Sequence, residues 1–171
     1  MYSFAAKIID TIVYMKNNEV TFARNLVKGK IAETVFAQML RSTGQFTVLE
    51  FGYEKIIPEL IGRGKEHNNE MVETLRTAPD FAVINNKSKE VHLIEVKYRK
   101  TVTNSDILRL AKRMSENWNP SFLFVGSVNG FYFGNVKDII KAKGKIELLD
   151  HPQIPTETQQ HFLEILNDFE S

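Results

Sequence analysis

Two apolar strings of strand length, separated by a short polar break, constrain the fold of this 171-residue chain more than anything else in it. The first is Phe81-Ala82-Val83-Ile84. The second runs Val91-His92-Leu93-Ile94-Glu95-Val96-Lys97-Tyr98. Between them, Asn85-Asn86-Lys87-Ser88-Lys89 has the composition of a hairpin-type turn, so the two strings are expected to pair as neighbouring strands. Both are rich in β-branched and aromatic residues, which favour a pleated, half-buried surface.

The flanking segments read mostly as helix. Phe4, Ile8, Ile12 and Met15 fall at helical spacing and predict an amphipathic N-terminal helix over residues 3–16, with a break at Asn17-Asn18. Ile31, Val35, Phe36, Met39 and Leu40 share one face of a second helix, which should end near Ser42-Thr43-Gly44. Phe46 to Tyr53 is a strand candidate. Pro58 to Thr77 is ambiguous: Gly62-Arg63-Gly64-Lys65 looks like a loop, and Glu70 to Leu75 could form a short helix. After the central strings, Thr103-Asn104-Ser105-Asp106 offers capping residues for a helix through Ile107, Leu110, Ala111 and Met114. Ser121 to Val128 and Phe131-Tyr132-Phe133 read as strands joined at Asn129-Gly130. A short helix over Val136 to Lys143, a linker marked by His151-Pro152 and Pro155, and an acidic C-terminal helix over 156–170 complete the chain. The expected architecture is a single α/β domain spanning 1–171, with a central mixed sheet flanked by helices.

Composition narrows the chemistry. There is no cysteine, hence no disulfide, zinc–thiolate site or thiol nucleophile, which suits a reducing cytoplasmic location. No apolar run is long enough to span a bilayer, and no membrane partner is expected. The formal net charge of +1 hides an uneven distribution. Lys97 to Arg113 carries a net +5 (Lys97, Arg99, Lys100, Arg109, Lys112 and Arg113 against Asp106), whereas Ile146 to Ser171 carries −6. Most charge runs are solvated surface, but this basic stretch directly follows the second apolar string.

Alternation along a strand puts Glu95 and Lys97 on one face, about 7 Å apart at the backbone. If the strand opened by Pro79-Asp80 pairs with theirs, two carboxylates and one amine converge at one sheet edge. Such a carboxylate pair suits Mg²⁺, which takes few protein oxygens and keeps its other positions for water and phosphate. Each residue alone has an ordinary explanation. A Glu-x-Lys at a strand end is usually a surface ion pair, a lone Asp is often a turn residue, and Glu33 could simply face solvent.

Taken together, Gly29-x-x-x-Glu33 on a helix, Pro79-Asp80 opening a strand, a hairpin, and Glu95-Val96-Lys97 closing the next strand resemble the PD-(D/E)XK nuclease superfamily. The restriction-endonuclease-like and Holliday-junction-resolvase-like members are the nearest. The resemblance implies a restriction-endonuclease-like αβββαβ core over residues of about 20 to 135, with extra N- and C-terminal helices. It implies that Asp80 and Glu95, with the Val96 carbonyl, ligate Mg²⁺, for which Mn²⁺ can substitute. It further implies that Lys97 orients or helps deprotonate the attacking water, and that Glu33 binds a second metal or a metal-bound water. Relatives often carry a polar residue, commonly Gln, on the helix after Glu-x-Lys. Here that helix offers Arg109, Lys112 and Arg113, which with Arg99 and Lys100 form a candidate nucleic-acid-binding rim.

The expected function is a metal-dependent nuclease acting on DNA in preference to RNA, with a homodimer as one possible assembly. The alternative is a nuclease-fold module without turnover that binds nucleic acid or a partner protein. The remaining candidates carry less. His67, His92, His151 and His161 lack close ligand spacing, Tyr98 projects opposite Lys97 toward a helix, and Trp118 reads as a packing anchor.

Overall fold

The computed structural model describes residues 4–52, 74, 75 and 77–169, with residues 4–20 described as backbone only. The candidate loop Gly62-Arg63-Gly64-Lys65, His67, Tyr53, Glu170 and most of the helix candidate beginning at Glu70 lie outside the described residues. The elements in chain order are α1 (Phe4–Ser42), β1 (Phe46–Glu50), β2 (Phe81–Asn85), β3 (Val91–Tyr98), α2 (Asn104–Ser115), β4 (Phe122–Ser127), β5 (Gly130–Asn135), α3 (Val136–Lys141), β6 (Glu147–Leu148) and α4 (Thr156–Asp168).

One correction concerns the start. The separate helix over 3–16 and the break at Asn17-Asn18 are replaced by one continuous helix from Phe4 to Ser42, about 58 Å long. Asparagine inside a helix costs only a few tenths of a kcal/mol more than an average residue, and neither glycine nor proline stands there to stop it. The helix ends where expected. The amide of Gly44, at φ +67, donates to the Arg41 carbonyl at 3.1 Å, closing the last turn.

The described strands form one mixed sheet in sequential order β1 to β6. Pairing is antiparallel throughout except between β3 and β4, which run parallel. This is the expected α/β layering, extended by the two-residue β6 on β5, too short for alternation to reveal.

Each sheet face has its own core. On one, Ala32, Val35, Phe36, Met39 and Leu40 of α1 pack with Phe81, Val83, Ile94, Val96, Phe124 and Phe131, joined by Leu166 of α4. On the other, Ile107, Leu110, Ala111 and Met114 of α2 and Val136 and Ile139 of α3 cover Leu123 and Val125. Thr103 stands at the N-cap of α2 without a side-chain cap bond. At Gly144 a Cβ would lie 1.9 Å from the Asn104 carbonyl oxygen, so only glycine lets the chain leaving α3 pass the start of α2.

Smaller sequence expectations also find places. Tyr98 packs against the α1-side core, with Lys28 Nζ 5.7 Å from its ring centroid. Trp118 donates to the Thr74 carbonyl at 3.1 Å and meets the Phe51 ring edge-on at 5.5 Å. His92 stacks on Phe122 at 4.5 Å, and His151 Nδ1 accepts from the Gln153 amide at 3.2 Å. Among the described residues no helix is long and apolar enough to cross a membrane.

Phe124 is 1% exposed and lies 4.7 Å from the Phe36 ring and 5.3 Å from that of Phe131, joining α1 to the middle of the sheet. Phe124→Ala should cost about 3–5 kcal/mol, visible as a lower urea midpoint with an unchanged slope. A loss below about 1 kcal/mol would mean that this contact does not hold α1 to the sheet.

Candidate active site

Pro79 and Asp80 decide where the β2–β3 ladder stops. Its last rung pairs Phe81 with Ile94. Carried on, the same register sets Asp80 across from Glu95 and Pro79 across from Val96. Pro79 has no N–H to offer the Val96 carbonyl. The Val96 N–H donates instead to Oδ2 of Asp80 at 2.8 Å. The N–H and C=O of one strand residue point to the same edge, so the Val96 carbonyl faces the place where the ladder ends. The Asp80 carbonyl accepts from the amides of Phe51 at 2.9 Å and Gly52 at 3.1 Å, which pins the bend to the end of β1.

Glu95 and Lys97 occupy the positions of β3 that pair with Leu123 and Val125 of β4, so they point to the α2 side, opposite the buried Ile94 and Val96. Their side chains form an ion pair. Glu33 projects from α1, where Lys30 holds it at 2.9 Å. All four predicted catalytic residues, Glu33, Asp80, Glu95 and Lys97, line one cleft of about 730 Å³. One wall is the face of α1 bearing Gly29, Lys30, Glu33, Gln38 and Arg41, and the other includes Leu110, Arg113 and Met114 of α2.

The carboxylates feel both burial and one another. Burial chiefly, and then the charge of Glu95, push the Asp80 carboxyl up from 3.8 to about 6, against the pull of Lys97, the Val96 amide and Lys30. Burial likewise raises Glu33 above the usual carboxylate range, with Asp80 adding to it and the Lys30 hydrogen bond opposing it. Shifts of this kind gather where a site is built to receive a cation or to handle protons. The donors fit a hard divalent ion: two carboxylates from opposed strand positions plus a strand carbonyl. Among the described residues no three His, Asp or Glu side chains form a closed metal cage, and Mg²⁺ characteristically uses only one or two carboxylates beside water and phosphate.

The predicted cationic rim is distributed differently. Of its five members, Arg113 lines this cleft. Arg109 and Lys112 border, with Arg113, a separate shallow depression on α2. Arg99 and Arg109 both bind the carboxylate of Asp106, and Arg99 also donates to the Tyr98 carbonyl at 2.8 Å. Burial works against the Asp106 charge, but the two arginine hydrogen bonds outweigh it and hold that carboxyl below its usual range. The backbone carbonyl of Lys100 accepts from Ser127 Oγ at 3.3 Å. Two cations that sequence reasoning did not single out, Lys30 and Arg41, line the cleft. Lys30 and Arg41 stand eleven residues apart, about three helical turns, which puts them on one face, and that spacing was the available signal. The chain matches no protein-family model and no curated protein.

The raised Asp80 value sets a pH dependence for the metal-free protein. Between pH 4 and 6 the folded chain holds a proton that the unfolded chain has released, so stability falls as pH rises through that window. Asp80→Asn keeps an oxygen that can accept from Val96 but carries no charge. It should therefore stabilise the metal-free protein at pH 8 by about 2 kcal/mol, roughly 4–8 °C in Tm. The gain should vanish below about pH 4, where the wild-type carboxyl is neutral in both states. Equal Tm values for the two proteins at pH 8 would show that Asp80 carries no such strain.

Proposed function

We propose that this chain is a Mg²⁺-dependent nuclease of the PD-(D/E)XK type that hydrolyses DNA phosphodiester bonds. The observation that carries the proposal is the meeting of Glu33, Asp80, Glu95 and Lys97 in a single cleft whose walls also bear Lys30, Arg41 and Arg113. The run α1, β1, β2, β3, α2, β4, with helices on both sheet faces, supports a restriction-endonuclease-like core within the coarser α/β architecture.

Asp80, Glu95 and the Val96 carbonyl would hold the cation, with Glu33 placed for a second ion or its water. Bound there, Mg²⁺ supplies a more acidic water and polarises the phosphoryl oxygen. Lys97 would orient the attacking water and offset negative charge as it develops on the phosphoryl oxygens. Its pairing with Glu95 keeps the ammonium beside that carboxylate in the cleft. Lys30, Arg41 and Arg113 offer phosphate contacts, which position a strand without reading its sequence. The second reading, a binding module without turnover, draws support from the ion pairs Lys97–Glu95 and Lys30–Glu33, which partly neutralise the site from within.

Purified protein should cleave DNA with Mg²⁺ or Mn²⁺ and stop on addition of EDTA. Asp80→Ala and Glu95→Ala should each lower the rate at least about 100-fold while the protein stays folded by circular dichroism. Lys97→Ala should still bind Mn²⁺ in a calorimetric titration, with turnover down by about 10²–10³-fold. Cleavage that survives in Asp80→Ala would place the activity elsewhere. A wild type that binds but cuts neither duplex, junction, single-stranded DNA nor RNA would favour the binding module.

A further inference from the structure

Gly29 sits in the interior of the 39-residue helix α1, where glycine weakens a helix relative to alanine. Two ordinary reasons for glycine fail here. Its backbone is regular α-helix, so no left-handed conformation requires it. A Cβ built on it would meet nothing within 4 Å, so no neighbouring element among the described residues demands the missing side chain. The residue nevertheless lines the cleft, one turn before Glu33 on the same helix face and next to Lys30. What glycine supplies there is bare backbone, which allows a ligand to come closer to the helix than any side chain would permit.

We infer that one strand of the nucleic acid crosses α1 at Gly29, its sugar–phosphate backbone lying directly against the helix. The inference rests on the nuclease reading of the same cleft. Gly29 to Glu33 is about 6 Å along the helix axis, so a strand whose scissile phosphate sits at the carboxylates brings its adjoining sugar over Gly29. Lys30 and Arg41 are about 16 Å apart along the same face, with Arg113 across the cleft. Their charges suit the phosphates that enter and leave this crossing. Gly29 is thus a contact that sets the path of the strand, and it takes no part in moving protons or holding metal.

The test compares wild type, Gly29→Ala and Gly29→Leu by thermal melting and by fluorescence anisotropy with labelled single-stranded and duplex DNA. All binding is measured in EDTA, so it does not depend on catalysis or on bound metal. Gly29→Ala should raise Tm by roughly 2–4 °C while weakening DNA binding several-fold. Gly29→Leu should weaken it more than 10-fold without lowering Tm. Loss with both DNAs means that the strand crosses as part of a duplex too, and loss with single strands alone restricts the crossing to unpaired DNA. A Gly29→Leu protein that melts at or above the wild-type temperature and binds both DNAs as tightly as wild type overturns the inference and leaves the nuclease proposal standing. If Gly29→Leu fails to fold, undiminished binding by the stabilised Gly29→Ala protein overturns it instead. A wild type that binds neither DNA overturns this inference, and cleavage with Mg²⁺ then decides the nuclease reading separately.

Discussion

Parallel strands cannot be joined by a tight turn, so the chain between Tyr98 and Phe122 must cross the sheet before β4 can lie beside β3, and it does so as α2. That crossover puts Ile107, Leu110, Ala111 and Met114 over Leu123 and Val125, while α1 covers Ile94, Val96 and Phe124 from the other side. Strand β3 is therefore enclosed on both faces, an expensive place for charge. Glu95 and Lys97 are accommodated because β2 stops at Phe81 and the sheet opens beside them. Every other feature of the cleft depends on that opening.

The opening is made by two adjacent residues. Proline at position 79 withholds the N–H that would continue the ladder, and the Asp80 side chain takes up the Val96 amide that would otherwise be left unpaired. One carboxylate thereby ends a strand pairing and reaches the same edge as Glu95. The arrangement opposes the stability of the metal-free protein, since burial and the Glu95 charge both disfavour the ionised Asp80. Strain concentrated at one site within an otherwise consistent fold is the usual mark of a position kept for function.

Charge on the helices follows another logic. Asp106 in the first turn of α2 holds Arg99 and Arg109 together, so part of the basic run after β3 fastens the crossover to the strand it leaves. The cleft draws its cations from α1 as well, through Lys30 and Arg41, and from α2 only through Arg113. A charge count along the chain registers both groups as surplus positive charge and does not separate the pairs on Asp106 from the groups that line the cleft.

Strands β2 and β3, the helix ends at Gly44 and Asn104, and the shared face of Glu95 and Lys97 were legible in the sequence, because each follows from local rules: period-two alternation, turn composition and capping. The continuity of α1 through Asn17-Asn18 was not, since weak propensities leave a break and a continuation nearly equal in energy until length and packing choose. Nor was β6, whose two residues carry no periodicity, or the division of the arginines between Asp106 and the cleft. By itself the sequence determined which residues could carry the chemistry and which of them share a strand face, because neighbours along a strand or helix have a set geometry. Only the tertiary structure decided that Glu33 from α1 meets Asp80, Glu95 and Lys97, because that meeting depends on the angle at which α1 packs across the sheet, and long-range packing leaves no periodic mark in the chain.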